Sequence, residues 1–471
     1  MKRKAPPIPK PKRPPVDLFA RTLAKHVRDA HGQGSATTLD MSDQLGAPRG
    51  YVGCNNIALE RALGTKGIPL GRITEISGWP GAGKSTMLDQ ILAQCQREGG
   101  VGVLADTERG RNRAYMASLG VKPESLVWIG GRTVEAMFDE VETLARTVAH
   151  VNAIAWLDAL SRAGKKVAKP PMYKYVVFDP ADSSKNRKPV ASYDFCQWGR
   201  AQAAALMEWQ KDQGIQATGI RDTASRDLLK PVVLYGEGDE RKQALADWLA
   251  GVPNDYAQAA DRPIVIGWDS VAGTATEAEL EGSARDVHPA TAAKVIRRNL
   301  RRLIQLIDDE AIAMILINQR YEKLNIGGGR RTWGKQSETY GGGGIKYHTT
   351  IRVEVDKCGE MYAPGKSRAT GHPPVGQEVL IKVPKNKLND PYRTERYGLI
   401  FGEGASDGWS IYEDLKERGI IRVGGGWSRF TDSSILDGED KSFRGWSELT
   451  EMMNEDPELR AKLNDIYLDG R

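Results

Sequence analysis

From about Tyr51 onward the chain alternates short apolar runs with longer stretches in which apolar residues recur at helical spacing. The runs Ile73–Ser77, Val101–Asp106, Ile264–Asp269 and the isoleucine-rich Ile312–Gln319 read as strands. The stretches from Lys84 to about Gln96, around Val134–Val148 and around Ala292–Asp308 read as helices. Strand and helix in alternation predict an α/β fold, a mostly parallel sheet covered by helices on both faces. Thr350–Val355 and Val379–Val383 alternate with period two, which predicts strands with one face more exposed. Ahead of this block, Val16, Phe19, Ala20, Leu23 and Val27 form the stripe of one short amphipathic helix. A polar, glycine-containing stretch isolates it from the next core-like segment, so packing on another subunit is expected. Residues 155–260 interrupt the alternation with a basic opening (Arg162 to Lys188) and a more acidic, Ala-rich helical close.

Composition narrows the class. The 471 residues are 40% hydrophobic and 27% charged, close to the globular average, and no apolar run approaches the ~18 residues of a membrane helix, so no membrane association is expected. The four cysteines are scattered without metal-ligand spacing, so neither a disulfide framework nor a zinc site is suggested, and a cytoplasmic protein is expected. The formal net charge of +6 resides in residues 1–15, where Lys2, Arg3, Lys4, Lys10, Lys12 and Arg13 stand among prolines without an acid. Such a tail stays extended and serves either as a solubilising arm or as a phosphate-binding one. The body is not a polycation, and no signal-peptide pattern follows the tail.

Gly78-Trp79-Pro80-Gly81-Ala82-Gly83-Lys84-Ser85 satisfies G-x-x-x-x-G-K-[ST], with an apolar strand before it and a helix after it. Its glycines (Gly78, Gly81, Gly83) let successive backbone N–H groups cradle phosphate oxygens at a helix N-terminus. Lys84 is expected to bridge β- and γ-phosphates and Ser85 to hold Mg²⁺, while Thr86 adds a second hydroxyl. Asp269, at the end of a hydrophobic run, is the expected acid on the metal side. A water-activating base is expected just beyond Val101–Asp106, where Glu108 and Asp106 compete. Asn318-Gln319 ends another strand, where an amide can sense a γ-phosphate. The following loop, Arg320–Tyr340, interleaves Lys323, Arg330, Arg331 and Lys335 with Tyr321, Trp333 and Tyr340, a composition suited to single-stranded nucleic acid.

Together these residues resemble the RecA family of homologous-recombination ATPases, most of all its bacterial and phage members. The resemblance extends beyond the phosphate loop to Ala62-Leu63, Gly67-Ile68-Pro69-Leu70-Gly71-Arg72-Ile73, Asp106-Thr107-Glu108 with Tyr115, and Asp269-Ser270-Val271-Ala272. It continues through Ala278-Glu279-Leu280-Glu281-Gly282, Ile317-Asn318-Gln319, Lys385-Asn386-Lys387 and Phe401-Gly402-Glu403-Gly404. Residues 155–260 have no counterpart in the pattern. The resemblance implies Glu108 as the catalytic glutamate, Tyr115 as the ring stacked on adenine, and Gln319 as the link between γ-phosphate and DNA loops. It implies that Lys385 and Lys387 reach a neighbouring subunit's ATP, that Glu281–His288 and Arg320–Tyr340 are the two DNA loops, and that Lys294 and Arg301 contact DNA. Asn112 in place of an acid near the adenine, Pro289 in the first loop and a longer second loop depart from the family pattern.

The expected organisation is a basic Pro-rich tail (1–15), an N-terminal helix-strand docking segment (16–50), a RecA-like P-loop NTPase core (51–154 and 261–395), an insertion (155–260) and a small α/β C-terminal domain (396–471). The C-terminal domain carries more acids than bases, which weakens the expectation that it binds duplex DNA. The implied activity is DNA-dependent ATP hydrolysis with ATP and Mg²⁺, in a homo-oligomeric helical filament on single-stranded DNA that pairs with a homologous duplex. The implied setting is a bacterial cytoplasm, or that of a phage-infected host. A ring-forming motor of the same fold, or a filament-forming regulatory ATPase without strand exchange, are the competing expectations.

Overall fold

The computed structural model describes residues 47–162, 164, 172–178, 189–196, 205–206, 208, 210–213, 262–282, 291–322, 337–363, 366, 368–436 and 441–469. The basic tail, the docking segment up to residue 46, most of the insertion, and the greater part of both expected DNA loops lie outside the described residues. Pro289, Lys323, Arg330, Arg331, Trp333 and Lys335 are among them. By internal contacts the chain divides into two compact units. The larger, Pro48–Ala149, Lys174–Tyr193 and Asn254–Arg471, holds all the site residues discussed below.

In chain order the strands are β1 (Tyr51–Val52), β2 (Ile68–Pro69), β3 (Ile73–Gly78), β4 (Val101–Asp106), β5 (Leu126–Ile129), β6 (Met172–Phe178), β7 (Pro189–Cys196), β8 (Ile264–Asp269) and β9 (Ile312–Glu322). They continue as β10 (Ser337–Thr339), β11 (Ile351–Met361), β12 (Gly376–Asn386), β13 (Arg393–Ile400), β14 (Gly404–Ser406), β15 (Ile421–Gly424) and β16 (Trp427–Phe430). One ten-stranded sheet runs in the order β14-β13-β12-β11-β3-β9-β8-β4-β5, with β10 folded back on β9. From β11 to β5 all neighbours are parallel, whereas β12, β13 and β14 form an antiparallel wing. The expected α/β architecture is present.

Both faces of the parallel part are covered, which is why β4, β8 and the first half of β9 are rich in Ile, Val and Leu. On one face the helix Lys84–Arg97 packs Met87, Leu88, Ile91 and Leu92 into a core shared with Ile76, Val265 and Ile315. On the other, Met137, Phe138 and Val141 of the helix Val134–Arg162 and Ile296, Leu300 and Leu303 of the helix Thr291–Asp309 pack around Ile266, Met314 and Leu316. The Phe138 ring meets fully buried Trp268 edge-on, with centroids 5.1 Å apart. Strands β9, β11 and β12 outrun their apolar patterns, because backbone pairing continues where one face is already wet. The helix Val134–Arg162 also outruns its reading and continues through the start of the segment that lacked a counterpart.

After β14 come the helix Asp407–Glu417, the hairpin β15–β16 and the helices Gly445–Glu455 and Pro457–Asp469. Arg61, on the helix Ile57–Leu63, ties this part to the sheet. Its Nη1 lies 2.7 Å from Asp414 Oδ1, its Nε 3.3 Å from Glu395 Oε1, and its guanidinium 4.3 Å from the centre of the Tyr467 ring. Beside it, Asp407 Oδ1 accepts from the Ile57 backbone N–H at 3.0 Å. Among the described residues no helix is long and apolar enough to cross a membrane.

Candidate nucleotide site

Parallel register gathers the chemistry at one edge of the sheet. Gly78, the last residue of β3, stands opposite Gln319 of β9, and Asp106 of β4 stands opposite Asp269 of β8. Carboxyl ends of parallel strands are where open α/β sheets bind ligands. Gly78 is required by close approach, since a Cβ there would lie 2.2 Å from the Val355 carbonyl oxygen on β11. Beyond it the chain turns through Gly81 (φ 74°) and Gly83 (φ 88°), in the left-handed region that favours glycine. A Cβ on Gly81 would meet nothing within 4 Å, so the loop faces open space.

Gly83 provides no side-chain cap to the helix Lys84–Arg97, which leaves its first N–H groups and the positive end of its dipole for an anion. Lys84 is buried and donates from Nζ to the carbonyls of Gly78 (3.1 Å) and Trp79 (2.9 Å). Burial lowers its pKa, while the charges of Asp269 and Glu108 act in the opposite sense. Ser85 Oγ donates to Asp269 Oδ2 at 2.6 Å, and Thr86 is buried behind it. A hydroxyl and a carboxylate oxygen side by side below an open phosphate loop are hard donors, and they fit Mg²⁺ held jointly by few protein ligands and by phosphates.

Glu108 is exposed just past β4, and its Oε1 accepts from Ser270 Oγ at 2.5 Å and Gln319 Nε2 at 2.9 Å. Asp106 instead is buried and accepts from the Arg111 backbone N–H at 3.3 Å. Only Glu108 therefore combines exposure with a direct link to Gln319, from which β9 leads into the second loop. Next to Gln319, Arg320 pairs with Asp356 at 2.9 Å and lies 5.8 Å from the centre of the Trp79 ring, which joins that loop's root to the phosphate loop.

Tyr115 is half-exposed on the short helix Arg113–Ser118. Asn112 caps that helix, its Oδ1 accepting from the N–H groups of Ala114 (2.8 Å) and Tyr115 (3.1 Å), so the departure from an acid here keeps a structural task. Lys294 and Arg301 are exposed on the helix Thr291–Asp309. Lys385 and Lys387 do not join the phosphate loop of their own chain. Lys385 stands opposite Arg352, which stands opposite Glu75, three residues ahead of Gly78 on β3, and its Nζ donates to the Lys346 carbonyl. Burial, then the charges of Lys387 and Arg352, lower its pKa.

Sequence reasoning missed two residues of this site. Arg111 donates from Nη2 to Asp269 Oδ2 at 2.6 Å and from Nη1 to the Ser85 carbonyl at 2.9 Å, and its Nη1 forms an ion pair with Asp89. Asp89, one helical turn beyond Ser85, is buried, which pushes its carboxyl up to about 6 against the pull of Arg111. The signal available was an acid among the apolar positions of a helix. Its partner, the middle one of three arginines at alternate positions (Arg109, Arg111, Arg113), carried none.

The model of the RecA N-terminal domain matches residues 20–160 and 255–406, more than half of the chain. Among curated proteins, the RecA protein of Rubrobacter xylanophilus is 22% identical over 95% of this chain and 91% of its own length. That of Fusobacterium nucleatum is 24% identical over 88% and 79%, and that of Thermus thermophilus 26% identical over 87% and 83%. A match that spans both halves of the core, with the phosphate loop, Glu108, Asp269 and Gln319 at one edge of its sheet, leaves one assignment: the chain belongs to the RecA family.

Proposed function

We propose that the protein is an ATP-dependent DNA recombinase, which forms a helical filament on single-stranded DNA, pairs it with a homologous duplex and releases it by hydrolysing ATP. The observation that carries this reading is the hydrogen bond between Glu108 and Gln319, because it connects the base that activates water to the root of a basic, aromatic loop. Lys84 and the N–H groups of Gly78, Gly81 and Gly83 hold the phosphates, and Ser85 and Asp269 face the metal. Mg²⁺ when bound neutralises phosphate charge. Glu108 takes the proton of the attacking water, Gln319 reports the γ-phosphate to the loop, and Tyr115 stacks on the adenine. Lys385 and Lys387, remote from their own phosphate loop, complete the site of a neighbouring subunit.

DNA is held by Lys294 and Arg301 and, in the second loop, by Lys323, Arg330, Arg331 and Lys335, with Trp333 stacking on a base. Electron microscopy with single-stranded DNA and a non-hydrolysable ATP analogue tests the reading. Helical filaments are expected. Closed rings would favour a motor of the same fold, and filaments without homologous pairing would favour a regulatory ATPase.

A further inference from the structure

The guanidinium of Arg111 stands where a cation belongs. Nη2 and the Ser85 hydroxyl donate to the same oxygen, Asp269 Oδ2, both at 2.6 Å, so the two protein groups that face the metal are already bridged by a positive charge. Nη1 holds the carbonyl of Ser85 at 2.9 Å and pairs with Asp89, which anchors the arginine from the opposite side. The Arg111 side chain is 7% exposed, and those of Asp89 and Asp269 are 2% and 8% exposed. Charges so far from water interact strongly and are little screened by salt. An arginine that only tied its loop to the helix would need Asp89 alone; this one also reaches the metal-facing oxygen.

We infer that Arg111 is a positioning residue that acts through Asp269 as an internal cation, competing with Mg²⁺ for the Ser85–Asp269 pair and so setting the Mg²⁺ concentration that nucleotide binding requires. The inference rests on the nucleotide-site reading above. With magnesium scarce, Arg111 keeps Asp269 occupied and the Ser85 hydroxyl turned to it. With magnesium abundant, the guanidinium cedes that oxygen and stays anchored by Asp89. Asp89 is thus a tether that keeps the displaced arginine beside the site.

The test is a Mg²⁺ titration of fluorescent ATP-analogue binding, followed by anisotropy on the full chain without DNA, so that turnover plays no part. Arg111→Met should lower the half-saturating Mg²⁺ concentration about tenfold, and Arg111→Lys should stay within about twofold of the unsubstituted protein. Should Arg111→Met leave Asp89 too costly to bury, the double variant Asp89→Leu/Arg111→Leu replaces the ion pair by apolar groups, a change buried pairs often tolerate, and should lower the requirement at least threefold. An unchanged or raised requirement in folded Arg111→Met or the double variant, with only the melting temperature altered, would reduce Arg111 to a structural tie and overturn the inference. Absence of Mg²⁺-dependent binding in the unsubstituted protein would overturn the nucleotide-site reading, and the inference with it.

Discussion

Arg61 and Arg111 are both nearly buried, and each lies between two carboxylates of the same unit. Around Arg61 these carboxylates and the Tyr467 ring belong to packed elements. Glu395 comes from β13, Asp414 from the helix Asp407–Glu417, and the Tyr467 ring from the last helix, its hydroxyl donating to Glu395 Oε2 at 3.4 Å. Around Arg111 one partner is Asp269, whose same oxygen serves Ser85 under an open loop. The two clusters use the same chemistry. What separates a fastener from an exchangeable contact is whether a shared ligand can be claimed by something arriving from solvent.

The strongest separation comes from the edge of the sheet. Glu108→Gln should lower ATP turnover by about 10²–10⁴-fold while nucleotide affinity and melting temperature stay put, read by phosphate release and anisotropy. Lys84→Ala should instead abolish nucleotide binding. Wild-type turnover in Glu108→Gln would reassign the base to Asp106.

Arg61→Met should invert that pattern. Removing the cation leaves Glu395 and Asp414 without their common partner, a change that costs about 3–5 kcal/mol when a buried pair is broken. Urea unfolding should show the loss, and the Mg²⁺ requirement for nucleotide binding should not move. A shift in that requirement would erase the distinction between the clusters.

An intermediate effect is expected at Lys385 and Lys387. Either changed to alanine should reduce DNA-stimulated hydrolysis about tenfold and leave nucleotide binding to isolated monomers within twofold. Hydrolysis by a monomeric form at the filament rate would remove their role in a neighbour's site.

The smallest effect is a pH dependence at the Arg61 junction. Burial raises the Asp407 carboxyl above its ordinary value, against the hydrogen bond from Ile57. The folded state therefore holds this proton more tightly than the unfolded chain does. The resulting stabilisation is complete below the ordinary carboxylate range and is lost as pH rises through the folded value. Asp407→Asn keeps an Oδ1 acceptor for Ile57 and should flatten that fall in a series of urea midpoints from acid to neutral pH. An unaltered slope would place the titration at another carboxyl, with Glu395, also raised by burial, the first to examine.

What the sequence disclosed follows from burial and locality. Strands β3, β4 and β8 are almost wholly buried, so apolar residues recur in each and their limits were legible to within a residue. Strand β5 escaped notice because it is an edge, with Trp128 53% exposed and nothing apolar required of it. The phosphate loop is one contiguous segment whose glycines and lysine announce themselves. The Arg111–Asp89 pair is the opposite case: an acid on a helix ordinarily faces water, and only the fold brings a loop arginine over it. Ser270 was legible as part of a motif, but its hydroxyl contact with Glu108 depends on the turn after β8 meeting the end of β4.

The order of the sheet also sets a timetable for synthesis. β3 is flanked by β9 and β11, which begin at Ile312 and Ile351, and β4 joins β8 only from Ile264. At roughly 5–20 residues per second a ribosome needs on the order of tens of seconds to pass from Gly78 to Ile312. Over that interval β4 can pair with β5, close to it in the chain, and from Ile264 onward with β8, while the strand bearing the phosphate loop has both edges open. Residues 155–260 lengthen the wait. The nascent chain thus carries this glycine-rich loop on a strand with both edges unpaired until Ile312 has been made, an edge open to mispairing over that interval.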